Sequence, residues 1–301
     1  MSKRTKIWLI IATSLIVIGC IIFGSVMAML KWDFTNLSTL KYETNNYEIS
    51  ENYKNISIVI DTADIVFIPS KDEKTSIVCY EQKKVKHLVS VKDETLTIEI
   101  KDARKWYEYI GVSFGSPKIT VYLPQNEYGN LSVKSSTGNV VTPKDFKFES
   151  VVIKANTGDI KVENVTASTL DLSVSTGKIT VSDVTCENDV KLKVSTGKTD
   201  LTNIKCGNLA SSGNTGDMTL NNVIATESFS IKRSTGDIGF DGSDAAEIFI
   251  ETDTGDVTGS LLSDKVFIAQ TDTGRVDVPK TVTGGKCEII TDTGDINITI
   301  E

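Results

Sequence analysis

The chain has 301 residues, a formal net charge of −8 and a sequence pI of about 4.9. Residues 1–31 carry four basic side chains and no acidic ones, so the rest of the chain is more acidic than the whole. Such an acidic surface excludes nucleic acid and anionic lipid as partners for that part. Five cysteines in a chain of this length do not indicate a disulfide scaffold.

An uncharged run from Ile7 to Leu30 follows the basic cluster of residues 1–6. The run exceeds the roughly 20 residues that cross a bilayer, and Trp8 and Trp32 bracket it at interfacial depth. We therefore predict a cytoplasmic N-terminus over residues 1–6, a transmembrane helix over 7–30 and a single-pass protein in the cell membrane. The positive-inside rule then places the C-terminal domain outside the cell.

Two alternatives to this anchor remain. The tetrapeptide ending at Cys20 matches a lipoprotein cleavage box, but cleavage there would leave the apolar stretch from Ile21 to Leu30 as the mature N-terminus. A secretory signal cleaved after Ala28 would have an unusually long apolar core. Both features favour the anchor.

A Thr-Gly corner preceded by Ser, Asn or Asp recurs nine times in the second half of the chain, with 19 or 20 residues between successive glycines. A period this regular is typical of a stacked repeat architecture. The corner glycines are Gly138, Gly158, Gly177, Gly197, Gly216, Gly236, Gly255, Gly274 and Gly294.

Apolar residues occupy fixed positions around each glycine, at −7, −5 and −3 before it and at +2, +4 and +7 after it. A spacing of two is strand spacing, because successive side chains point to opposite faces. Each repeat is therefore two short strands joined by a Thr-Gly turn, and stacking of the repeats joins their apolar faces into one core. The sequence predicts an all-β fold, a single elongated β-solenoid with about 19–20 residues per rung.

The solenoid is predicted over residues 55–301, after a polar juxtamembrane linker over 31–54. Residues 131–301 hold the regular repeats, whereas residues 55–130 read as degenerate rungs, with Ala63 at a corner where glycine is expected. The tyrosines all lie before residue 129, so the aromatic-rich N-terminal part is expected to cover that end of the core.

These features together resemble the bacterial putative-adhesin family, a domain of unknown function that is common in Gram-positive bacteria. The resemblance covers residues 55–301 and implies a Thr-Gly-Asp repeat β-solenoid on a membrane anchor, outside the membrane. It also implies an adhesive or an envelope-stress regulatory role, and it brings no catalytic residues. The segments that carry it are Ile119–Pro124, Leu131–Val140 and the serial Thr-Gly-Asp-Ile corners.

The acidic corners of the last repeats are candidate functional groups. Three Asp-Thr-Gly triplets spell the aspartic-protease signature, but stacked repeats place their carboxylates in a column and not in a facing dyad. A calcium site is the other reading, since oxygen ligands suit this cation, although Arg275 interrupts the column. We expect a solvated corner and no metal. The calcium candidates are Asp253, Asp256, Asp272, Asp292 and Asp295.

Trp106, Tyr107 and Tyr109 form an aromatic cluster that could bind a sugar ring or a protein, or could pack over the solenoid end. His87 follows Lys86 in a charged stretch, and we expect it to be solvated and without a metal-binding neighbour.

Cys186 and Cys206 both lie nine residues after a corner glycine, which places them one rung apart. That separation suits either a disulfide or two stacked free thiols.

Three function classes remain. The first is an adhesin-like binding or structural surface protein with a protein or cell-surface glycan partner. The second is a non-enzymatic regulatory component of envelope-stress signalling. The third, a polysaccharide-acting enzyme, needs long loops around a groove, and repeats of 19–20 residues leave no room for them. We expect no enzymatic activity and no cofactor.

Overall fold

The computed structural model describes residues 2–33, 40–106, 115–142 and 144–301. Helix α1 spans Lys3–Met29, and Ser2 caps it by accepting a hydrogen bond from the Thr5 N–H at 3.2 Å. Its most apolar 18-residue window has a mean hydropathy of 2.6 and is entirely unburied, so α1 is long and apolar enough to cross a membrane. Every other regular element of the described chain is a β-strand, as expected for an all-β solenoid that follows one apolar helix.

Seven strands precede the regular repeats. They are β1 (Tyr42–Ile49), β2 (Asn55–Thr62), β3 (Asp64–Pro69), β4 (Thr75–Gln82), β5 (Val85–Lys92), β6 (Thr95–Asp102) and β7 (Lys118–Leu123). The predicted linker over 31–54 is therefore wrong for residues 42–49. The polar composition of β1 was misleading because only every second residue faces inward; Tyr47 and Ile49 pack against the core.

Fifteen strands form the regular repeats, and they pair in parallel throughout. They are β8 (Glu127–Thr137), β9 (Val140–Val141), β10 (Phe146–Thr157), β11 (Ile160–Glu163), β12 (Val165–Thr176), β13 (Ile179–Cys186), β14 (Asp189–Thr196), β15 (Thr199–Thr215), β16 (Met218–Thr235), β17 (Ile238–Thr254), β18 (Val257–Leu261), β19 (Lys265–Thr273), β20 (Val276–Asp277), β21 (Gly285–Thr293) and β22 (Ile296–Ile300).

The predicted apolar columns are the core of the solenoid. Around Gly177, the six side chains at the predicted inner positions are each at most 1% exposed. They are Leu170, Leu172, Val174, Ile179, Val181 and Val184. The two-residue spacing of the apolar positions therefore predicts correctly which side chains face the core.

The corner glycines stack directly on one another. Their φ angles lie between 127° and 156°, a region that side chains with a Cβ rarely adopt. A Cβ on Gly177 would lie 2.7 Å from the carbonyl carbon of Gly158 in the adjacent rung. Ala63 occupies the same column and donates its N–H to the Thr137 carbonyl at 3.1 Å, which confirms that residues 55–69 form a degenerate rung.

The rungs do not stack in chain order at either end of the solenoid. At the C-terminal end, β21 pairs with β17 on one side and with β19 on the other, so that Ile289 lies between Ile250 and Ala269. The corner order in space is therefore Gly255, Gly294, Gly274. At the N-terminal end, β2 lies between β8 and β6, and β3 lies between β9 and β7.

Antiparallel strands end the ladder at the N-terminal side. Strand β4 pairs with β7, β1 pairs with β4, and β5 forms a hairpin with β6. We call β1, β4 and β5 the N-terminal cap.

Arg233 is one of the charged side chains buried within the stack. Arg233 is 3% exposed and donates from Nη2 to Thr199 Oγ1 at 2.9 Å and to Ser211 Oγ at 3.1 Å. Burial lowers the pKa of the guanidinium. Gly213, in the preceding rung, leaves the space that the guanidinium occupies, since a Cβ there would overlap Arg233.

Candidate functional site

The rung of Gly274 forms an open end of the solenoid. Among the described ranges, β19 pairs on one side only, with β21, which leaves the hydrogen-bonding groups of its other edge without a strand. Val276 occupies the +2 column and is 44% exposed, whereas Ile296, one rung further in, is fully buried. The core column is therefore uncovered at this end.

Apolar side chains also point outward from the same rung. Val266 and Ile268 alternate with the inward residues of β19 and are 39% and 50% exposed, and Val282 in the following loop is 88% exposed. We call Val266, Ile268, Val276 and Val282 the open-end patch. Exposed apolar side chains on a rung with an unpaired strand edge are typical of a protein interaction surface. No sequence pattern indicates this site, because the stacking order of the rungs decides which rung is terminal.

The acidic corners are built into the backbone hydrogen-bonding of the stack. The Asp256 carboxylate accepts the Asp295 N–H at 2.7 Å, and the Asp295 carboxylate accepts the Arg275 N–H at 2.8 Å. Arg275 also forms an ion pair with Asp295 at 2.7 Å, and this interaction lowers the pKa of that carboxyl. The side chains at +1 therefore link successive rungs, which explains their Asp and Asn content without a metal.

The three remaining calcium candidates do not take part in these hydrogen bonds between rungs. Asp253, Asp272 and Asp292 lie two residues before their glycines and are exposed. None of the five acids belongs to a group of three or more potential metal-ligating side chains among the described residues. That calcium is not required stays a prediction.

The aromatic cluster is only partly described. Trp106 follows β6 near the N-terminal cap and is 80% exposed, whereas Tyr107 and Tyr109 lie outside the described residues. Its role as a binding site stays a prediction.

The structure overturns the expectation for His87. His87 is 2% exposed on β5, and its Nδ1 lies 2.6 Å from the carboxylate of Glu81, which is fully buried on β4. On β5 the His87 side chain points inward, whereas those of Lys86 and Leu88 point outward. The charged neighbours in the sequence therefore did not indicate that His87 itself is buried. Cys79 lies on the same inward face of β4, and the expectation that His87 has no metal-binding neighbour is therefore also wrong.

Cys186 and Cys206 are both buried free thiols, which resolves the alternative that the sequence left open. The Cys186 thiol donates to the carbonyl of Ser168 at 3.3 Å. Burial raises the pKa of Cys206 to about 12. Both side chains serve the core.

A model of the Toastrack DUF4097 family matches residues 53–299. The chain belongs to this family. The Toastrack domain thus covers the whole stack from the rung of β2 and β3 to β22, and the predicted resemblance to a family of unknown function is confirmed. No curated protein matches the sequence.

Several solved structures are similar to this chain. A putative adhesin from Bacteroides fragilis NCTC 9343 has a TM-score of 0.48 at 19% identity, and covers 86% of this chain and 97% of its own. A putative adhesin from Parabacteroides merdae ATCC 43184 has a TM-score of 0.45 at 14% identity, with coverages of 86% and 96%. A putative lipid binding protein from Parabacteroides distasonis ATCC 8503 has a TM-score of 0.40 at 14% identity, with coverages of 87% and 98%. At these identities the likeness concerns the fold alone.

Proposed function

We propose that this protein is a membrane-anchored, adhesin-like binding protein whose contact surface is the open-end patch. The observation that carries the proposal is the uncovered core column, in which Val276 is 44% exposed next to the fully buried Ile296. An apolar column left open at the end of a stack lowers its free energy when a partner covers it.

The position of the patch supports this role. Helix α1 leads into β1, which belongs to the N-terminal cap, and β19 and β20 lie at the other end of the strand order. With α1 in the membrane and residues 1–6 in the cytoplasm, the stack separates the anchor from the open-end patch outside the cell. Such an arrangement presents the patch to a partner.

The partner that suits the patch is a protein with an extended apolar segment. The free edge of β19 can pair with a further strand, and Val266 and Ile268 can pack against side chains of that strand. A glycan is the weaker fit, because sugar rings pack on aromatic faces and the patch consists of valine and isoleucine.

We further propose that the protein binds without catalysing a reaction. The buried His87–Glu81 pair has a cysteine beside it, but Cys79 is fully buried and burial raises its pKa to about 12. A thiol that stays protonated is not a nucleophile.

Site-specific photo-crosslinking of the full-length protein in its native membrane tests the proposal. A crosslinker at Ile268 should capture a partner, and one at Ser230, the matching outward position of a central rung, should not. The captured protein is then purified, and Ile268→Glu should weaken its binding at least about tenfold while Ser230→Glu leaves it unchanged. Equal crosslinking from Ile268 and Ser230 would refute the open-end patch as the contact surface. A third crosslinker is placed at Trp106, and capture of a partner from that position alone would favour the regulatory alternative.

A further inference from the structure

The N-terminal cap holds a buried cluster of three side chains that can bind a metal ion. Cys79 and Glu81 lie two residues apart on β4 and therefore point to the same face, opposite His87 on β5. The Cys79 Sγ, a Glu81 carboxylate oxygen and a ring nitrogen of His87 all lie within 4.8 Å of one another. No other such group occurs in the described ranges.

Hydrogen bonds position the Glu81 carboxylate beside the His87 imidazole. The Glu81 carboxylate lies 2.6 Å from Nδ1 of His87 and accepts the His87 backbone N–H at the same distance. Asn45, on β1, donates a hydrogen bond from its side-chain amide to the other carboxylate oxygen of Glu81 at 2.5 Å. An ion that both Glu81 and His87 bind must lie at Nδ1, in place of the hydrogen bond to the carboxylate, because Nε2 is on the opposite side of the ring; the Nδ1 proton then moves to Nε2, a buried atom with no hydrogen-bond partner in the described structure.

The cluster is costly to bury without a cation. A buried carboxylate needs compensating charge; among the described residues, the ammonium that pairs with Glu81 is that of Lys86, at 3.7 Å, and Lys86 also pairs with Glu43. Burial, with a smaller contribution from the Glu81 charge, raises the pKa of Cys79 to about 12. A bound cation would hold the thiol as a thiolate and satisfy the imidazole lone pair together.

We propose that Cys79, Glu81 and His87 form a binding site for one Zn²⁺ ion. Thiolate, imidazole and carboxylate are the three ligand types that zinc takes in proteins. A thiolate and a carboxylate balance the charge of a divalent ion, so that the occupied cluster is neutral. Binding releases the thiol proton of Cys79 to solvent.

A cavity lies beside two of the three side chains, Glu81 and His87. Its volume is about 230 Å³, and Tyr42 and Arg104 also lie along its wall. This space can admit the ion and a water molecule in the fourth position of a tetrahedral site. The site lies at the end of the stack opposite the open-end patch, and its role is separate from partner binding.

Titration of the full-length protein in detergent with Zn²⁺ tests the proposal. We expect one ion per chain, release of about one proton per ion, and affinity that rises about tenfold per pH unit around neutrality. Cys79→Ser should raise the Kd more than about 100-fold, and Glu81→Gln about 10- to 100-fold. Titration with Co²⁺ should give a thiolate charge-transfer band that Cys79→Ser abolishes.

Cys287→Ser is the matched control. Cys287 is also fully buried, with a pKa raised by burial to about 12, but it belongs to no metal-ligating group in the described chain. In case Cys79→Ser does not fold, alkylation of the wild-type protein in mild urea provides a second measurement, in which Zn²⁺ should protect Cys79 and leave Cys287 unprotected. Binding that Cys79→Ser does not weaken, or equal protection of both thiols, would overturn the proposal.

Discussion

Replacement of a single corner glycine should destabilise the stack far more than replacement of a glycine three residues away. Gly236 has φ 139°, and a Cβ built on it would lie 2.5 Å from the carbonyl carbon of Gly216. Gly239 lies in the same rung, and a Cβ there would have no atom within 4 Å. Gly236→Ala and Gly239→Ala therefore add the same methyl group in two different environments.

The expected cost of Gly236→Ala has two contributions. Alanine in this backbone region costs about 1–3 kcal/mol. Relief of the overlap requires the two rungs to move apart, which weakens the hydrogen bond from the Gly216 N–H to the Thr235 carbonyl, 2.8 Å long, by about 0.5–1.5 kcal/mol. The sum is about 1.5–4.5 kcal/mol, whereas Gly239→Ala should be neutral or stabilising by up to about 1 kcal/mol.

Urea and thermal unfolding of the two full-length variants, followed by the β-sheet circular dichroism signal, measure the difference. At about 2–4 °C per kcal/mol, Gly236→Ala should lower the Tm by about 3–18 °C. If the two variants agree within about 0.5 kcal/mol, the stacking of the corners described here is wrong.

Leu172→Ala should cost about 2–5 kcal/mol in urea unfolding because it opens a cavity at a fully buried position. Asp237→Asn should stay within about 0.5 kcal/mol, since an amide oxygen can still accept the Asp256 N–H, 2.9 Å away; similar costs at the two sites would refute the assignment of faces. Calcium chelation should leave the Tm nearly unchanged, and a fall of more than about 10 °C would restore the calcium reading of the corner acids. The Arg275 interaction lowers the pKa of Asp295, so its contribution to stability is present above the unfolded pKa of about 3.9 and is lost as the pH falls through the folded value. The acid-side fall of the Tm should therefore be shallower in Arg275→Ala, and an unchanged profile would contradict this linkage.

The sequence alone determined the local features of the fold. Alternating apolar positions define an inward face because strand side chains alternate, as the burial of Leu170, Leu172 and Val174 shows. The Thr-Gly corners could be placed because positive φ requires glycine, and the apolar helix because a bilayer requires a long uncharged run. Each of these signals lies within one repeat or one helix.

The tertiary structure decided everything that depends on which segments become neighbours. Every rung presents nearly the same corner and strand edge, so the sequence carries no local signal that β21 inserts between β17 and β19. The open-end patch exists only because of that insertion. In the same way, the inward direction of His87 toward Glu81 and Cys79 depends on the pairing of β4 with β7 and of β5 with β6, and the composition of the segment does not encode such pairing.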